Sequence, residues 1–115
     1  MSLTLTALEH NTITEIQLSG TALTEQDFDE LMQQVKMLLD NDKPNIILNL
    51  EQIKILNSLG INTLIKIFTK ARNGGGDLYI VNISDKINQV LLLTKINTVL
   101  NIAHSVEEAI NNFNS

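Results

Sequence analysis

The sequence predicts an α/β domain: a mixed sheet of about four to five strands, opened by an N-terminal hairpin and backed by about four helices. Three observations predict it. Residues 3–20 alternate apolar and polar side chains in two short runs, the period of half-exposed strands. Two later runs, 45–50 and 78–83, are almost wholly apolar, as strands covered on both faces are. Between and after them lie segments with apolar residues at helical spacing, so strands and helices take turns along the chain.

The hairpin comes first. Leu3, Leu5 and Ala7 share one face of the run "LTLTALEH", and Ile16 and Leu18 share a face of "ITEIQLSG". The intervening "HNT" is a turn, and Gly20 ends the second strand. Thr24 opens a helix, with Asp27 three residues on, a near match to a capping box. Phe28, Leu31, Met32, Val35, Leu38 and Leu39 form its apolar stripe. Glu25, Asp27 and Asp29 sit where the helix dipole favours negative charge. "DNDKP" stops the helix at Pro44.

After the strand at 45–50 comes a link, "EQIKIL", and then a break at Asn57-Ser58. A second helical stripe follows at Ile61, Leu64, Ile65, Phe68 and either Ala71 or Arg72. "NGGG" at 73–76 ends it, since glycine accepts the left-handed exit conformation. After the strand at 78–83, Ser84 caps a third helix with Ile87, Val90, Leu91 and Thr94 on one side. "VLNIA" at 99–103 reads as a short strand. Ser105 and Glu108 make a capping box for a last helix carrying Val106, Ala109, Ile110 and Phe113. The order is β-β-α-β-α-β-α-β-α, and residues 1–115 read as one domain with no linker and no repeat.

Composition excludes several functions. Eight Lys and Arg face thirteen Asp and Glu, a net charge of −5. Phosphate-backbone binding needs a basic face, so nucleic acid is not an expected partner. Three Phe, one Tyr and no Trp give no platform for base stacking. Anionic membrane surfaces are disfavoured by the same charge, and the longest apolar runs, such as "VLLL" at 90–93, are far too short to cross a bilayer. "MSLTLTALEH" lacks the basic start and apolar core of a secretion signal. There is no cysteine, hence no disulfide, no thiol chemistry and no Cys-based zinc site. The expectation is a cytoplasmic protein.

No enzyme can be assembled from these residues. His10 and His104 have no nucleophile or metal-ligating partner in the sequence and are expected to be exposed and idle. The glycines at 74–76 follow a helix and precede a strand, the reverse of a phosphate loop. No catalytic residue, metal ligand or cofactor is therefore assigned.

Ser58 stands apart. It follows a buried strand and begins a helix, at the strand's carboxyl end, where open α/β sheets place their working groups. Two readings stay open on the residues alone. Asn57 or Ser58 is simply the helix cap; or Ser58 is an accessible hydroxyl at which a phosphate would be favoured by the helix dipole and free N–H groups.

Three segments carry a resemblance over nearly the whole chain. "IILNLEQIKILNSLGINTL" resembles a strand, then Asp-Ser-(Ser/Thr)-Gly-Leu, then a helix; "GGDLYIVNIS" resembles a Gly-Gly turn and the next strand; "VLLLTKINTVLNIAHSVEEAI" resembles a third helix, final strand and closing helix. In this order they resemble the sulphate transporter and anti-sigma factor antagonist (STAS) family, above all its small free-standing bacterial anti-sigma factor antagonists. The resemblance implies a STAS fold and a regulatory, non-enzymatic role. It implies that a serine kinase, itself the anti-sigma factor, binds the domain and phosphorylates it at Ser58, and that a phosphatase reverses this. Asn57 takes the place of the family's Asp, and Gly60 and Ile61 match its Gly-Leu. Leu59 replaces a small hydroxyl residue, Leu23 stands where an acid is common, and Lys95 replaces a Gly before Ile96. The expected partner-binding residues are Asn57, Ser58, Leu59 and Gly60, with Asn62 and Lys66 off the apolar stripe of the helix; Gly60 is expected to permit close approach of a partner or of the neighbouring strand. The alternative is a STAS module that does not switch, an accessory subunit of a transporter or another signalling complex.

Overall fold

The structure, a computed structural model, describes residues 3–115. Five strands, β1 (Leu3–His10), β2 (Ile13–Gly20), β3 (Asn45–Gln52), β4 (Asp77–Val81) and β5 (Asn101–Ala103), form one sheet in the order β1-β2-β3-β4-β5. β1 and β2 are an antiparallel hairpin, with Asn11 left-handed at the turn (φ 61°). The remaining neighbours are parallel. The helices are α1 (Asp29–Asp40), α2 (Ser58–Asn73), α3 (Asp85–Leu93) and α4 (Val106–Phe113).

Strand order decides where the helices lie. Each crossover from β2 to β5 steps to the next strand in the same direction. Right-handed crossovers therefore put α1, α2 and α3 on one face. The main core lies there: Ile16, Leu18, Ile46, Leu48, Leu50, Leu78 and Ile80 from the sheet meet Leu31, Val35, Leu64, Ile67 and Leu91 from the helices. Among the described residues, α4 covers the other face, through a second cluster of Ile13, Ile47, Val81, Ala103 and Ala109. There Tyr79 meets Phe113 edge-to-face, with ring centroids 4.9 Å apart.

The local signals act mostly as read. Asp27 accepts from the N–H groups of Leu23 (2.9 Å) and Thr24 (3.1 Å), while Thr24 Oγ1 accepts from Asp27 N–H at 3.4 Å. The reciprocal box forms, but its first turn is 3₁₀ (Gln26–Phe28), so α1 begins at Asp29. At the end of α2, Gly75 is left-handed (φ 92°), and the N–H groups of Gly76 and Gly75 reach back to Ala71 and Arg72. Those two bonds make a full Schellman stop. Ser84 and Ser105 cap α3 and α4 through Ile87 N–H (3.2 Å) and Glu108 N–H (3.1 Å).

Three expectations are corrected. β2 is not half exposed: Ile13, Thr14, Glu15 and Ile16 are all buried, because β2 is an inner strand between β1 and β3. In α2 the buried stripe is Gly60, Ile61, Thr63, Leu64, Ile67 and Ala71, and Ile65 and Phe68 lie half-buried at its margin. In α3 only Ile87 and Leu91 are buried; Val90 and Thr94 are exposed, since a helix over the short outer strand of a sheet meets little surface.

Candidate functional site

The carboxyl edge of β3 leads into α2 through residues 53–57. Ile53 is buried and roots this segment. Its middle is tied sideways to α3 by Ser84, whose hydroxyl donates to the Lys54 carbonyl at 3.2 Å. Its end is fixed by Asn57, which is extended (φ −84°, ψ −179°). Asn57 Oδ1 accepts from Gly60 N–H at 2.9 Å, and Asn57 Nδ2 donates to the Leu23 carbonyl at 3.2 Å. The cap is thus Asn57. Ser58 is the first residue of the helix, exposed, with its hydroxyl left out of the cap.

Of the residues expected to face a partner, Ser58, Asn62 and Lys66 form an exposed strip at i, i+4 and i+8 of α2. Asn57 is half-buried beside it. Leu59 is half-buried and packs on the main core. Gly60 is buried, and its closeness is to its own chain: a Cβ there would overlap the Leu56 side chain and lie 3.2 Å from Phe28 Cζ. Closest to it lie the Leu56 and Phe28 side chains, not the neighbouring strand.

The start of α2 is bordered by the loop after β2. Leu23 is 50% exposed and Ile55 67%. Although Leu23 stands where the family commonly has an acid, a carboxylate is present nearby. Asp27 is bonded to the Leu23 and Thr24 N–H groups, which hold its carboxyl below the usual range. The sequence carried a signal for this residue, the capping spacing, but nothing that tied it to Leu23.

Sequence reading missed a second polar constellation. Glu15 is 2% exposed, on the sheet face that carries α4. Its Oε1 meets His10 Nε2 at 2.8 Å, and its Oε2 accepts from Gln17 Nε2 and Asn49 Nδ2, both at 3.0 Å. Asn49 Oδ1 in turn accepts from Asn82 Nδ2 at 3.2 Å. Burial pushes the Glu15 carboxyl up, but hydrogen bonds from Asn49, His10 and Gln17 outweigh it and hold the pKa below its ordinary value. His10 is therefore not idle: it is half-buried and engaged. His104 is exposed. Among the described residues no group of three His, Cys, Asp or Glu could hold a metal, and no helix is long and apolar enough to cross a membrane.

A hairpin-led sheet in sequential order, with three helices on one face and a capped helix opening at the carboxyl edge of β3, defines a small α/β domain with a mixed sheet. The family model for the STAS domain matches residues 4–109, so the chain belongs to the STAS family. Solved structures share the fold. An anti-sigma factor antagonist from Mycobacterium paratuberculosis superposes with a TM-score of 0.84 at 17% identity, over 99% of this chain and 96% of that one. An anti-sigma-factor antagonist (STAS) domain protein from Planctomyces limnophilus gives 0.76 at 18%, over the whole of both chains. The Bacillus cell fate determinant SpoIIAA, in its phosphorylated form, gives 0.70 at 18%, over 96% and 98%. One departure from the family pattern has a visible backbone consequence: Lys95, where a Gly is usual, is left-handed at φ 62°.

Proposed function

We propose that this domain is an anti-sigma factor antagonist of the cytoplasm. It binds a serine-kinase anti-sigma factor and is released when that kinase transfers the γ-phosphoryl group of ATP to the Ser58 hydroxyl. The observation that carries this reading is the division of labour at the start of α2. Asn57 does the capping, so the exposed Ser58 hydroxyl is available to be read. The phosphate would sit in the first turn of a sixteen-residue helix, where backbone N–H groups and the dipole favour an anion. It would add about −1.5 to −2 of charge beside the Asn62–Lys66 strip, enough to disrupt a docked partner by repulsion and desolvation. A phosphatase would restore binding. The phosphorylated neighbour SpoIIAA supports this reading.

A second reading is a fixed accessory subunit of a transporter or other complex. Exposed Leu23 and half-buried Leu59, apolar where the family is acidic or hydroxylic, favour it.

The test is reconstitution with serine kinases of the anti-sigma type from the source organism. Incubation with ATP should place one phosphate on wild type and none on Ser58→Ala. Ser58→Asp should lose the complex that Ser58→Ala keeps. Equal binding by Ser58→Asp and wild type would leave the accessory-subunit reading standing.

A further inference from the structure

We infer that a groove beside Ser58, running from the loop after β2 to α3, is the docking site for an acidic amphipathic helix of the partner protein. The link to Ser58 rests on the reading above; the groove itself does not. Two hollows of about 500 and 260 Å³ adjoin, and both are lined by Lys54 and Ile55. Leu23 lines the first, and Lys86, Val90 and Leu93 line the second. Leu93 is 84% exposed and, like Ile55, has no core to enter. Such side chains, clustered in a channel, mark an interaction surface.

The shape favours a helix. Lys86, Val90 and Leu93 fall at i, i+4 and i+7 of α3, a ridge along one wall. The segment at 54–56 is the other wall, and Ser84 fixes the gap by bonding the Lys54 carbonyl. A ridge-walled apolar channel takes the apolar stripe of a helix.

The charge chooses the partner. The whole chain carries −5, yet the ionisable residues lining both hollows are Lys54 and Lys86. Complementarity therefore asks for Asp or Glu flanking the partner's apolar stripe. A second copy of this chain fits poorly. Its acidic helix starts, Asp29-Glu30 of α1 and Glu107-Glu108 of α4, belong to helices whose apolar faces are already packed on the sheet. The placement also explains why a phosphate would expel the partner. Leu56 lines the α3 hollow and Leu23 the other, and Asn57, next to Ser58, is bonded to Leu23. New negative charge there would face an acidic helix.

The experiment selects displayed helical peptides of about 16 residues, roughly four turns, against the full chain. Binding is then mapped by amide shifts. Acidic peptides with apolar residues at i, i+3 or i+4, and i+7 should be enriched and should move Leu23, Ile55, Val90 and Leu93. The double variant Lys54→Glu/Lys86→Glu should bind them at least about tenfold more weakly. The same selection run on it should enrich basic peptides instead. Failure to enrich helical peptides, enrichment without acid preference, or shifts elsewhere would overturn the proposal. So would shifts of the same signals with concentration in the chain alone, which would mean a second copy. Ser58→Asp in the same titration separates the two ideas. Peptide binding undiminished by Ser58→Asp would break the link between Ser58 and the groove and keep the groove. A kinase complex lost with Ser58→Asp but untouched by the double lysine variant would sink the groove and keep the switch.

Discussion

Asn57 Nδ2 donates to the Leu23 carbonyl, 34 positions away in sequence, at 3.2 Å. Both are places where the STAS pattern commonly has an acid, and an acid at 57 could not make this bond, because a carboxylate has no donor. The same side chain caps α2 through Gly60 N–H. Asn57→Asp should keep the cap and lose only the tie, changing stability by less than about 1 kcal/mol. Asn57→Ala should lose both and cost about 1–2 kcal/mol. Urea denaturation of the two variants, side by side, measures the difference.

Ser58→Asp should not unfold the domain. The new carboxylate sits at the first helical position, where the dipole favours it. Its unfolding free energy should equal or exceed wild type by up to about 0.5 kcal/mol. A loss of partner binding in this variant, with an unchanged melting temperature, is then a loss of recognition.

Gly60→Ala should destabilise by about 1–3 kcal/mol, the cost of overpacking. The added methyl meets the Leu56 side chain and Phe28. Pairing it with Leu56→Ala should recover part of the loss, which a double-mutant cycle would read directly.

Glu15→Ala leaves the donors of Gln17, Asn49 and His10 without their acceptor in a buried place. The expected cost is about 2–3 kcal/mol at pH 7. The pH dependence follows from the lowered carboxyl pKa. A carboxylate depressed in the folded state contributes stability above its unfolded value, about 4.3, and loses that contribution as pH falls through the folded value. The gap between wild type and Glu15→Ala should shrink below about pH 4. A gap that widens in acid would show that the carboxyl is raised by burial.

Lys95→Gly should stabilise the domain by about 0.5–1 kcal/mol, since a side chain at φ 62° costs more than the extra chain entropy of glycine. A melting-temperature comparison is sufficient.

These sites differ in how far they could be read from the chain. The start of α2 was legible because its signals are local: a break in apolar residues, an Asn and a Ser, then a helical stripe. Which of Asn57 and Ser58 caps was not, because both are good caps and the choice was made by the Leu23 carbonyl arriving from another loop. The Glu15 cluster was hidden by its own pattern. "ITEIQL" alternates as a half-exposed strand does, but β2 is an inner strand and its second face is closed by residues from β1 and β3.

Helices, strands, their order along the chain and the family resemblance can all be read from short stretches of residues, because periodicity, caps and turn residues act over a few positions. Which polar residues are buried and which apolar ones are left outside depends on long-range packing. Glu15 went in and Leu93 stayed out because exposure depends on which strand or helix lies alongside, and that neighbour comes from a distant part of the chain.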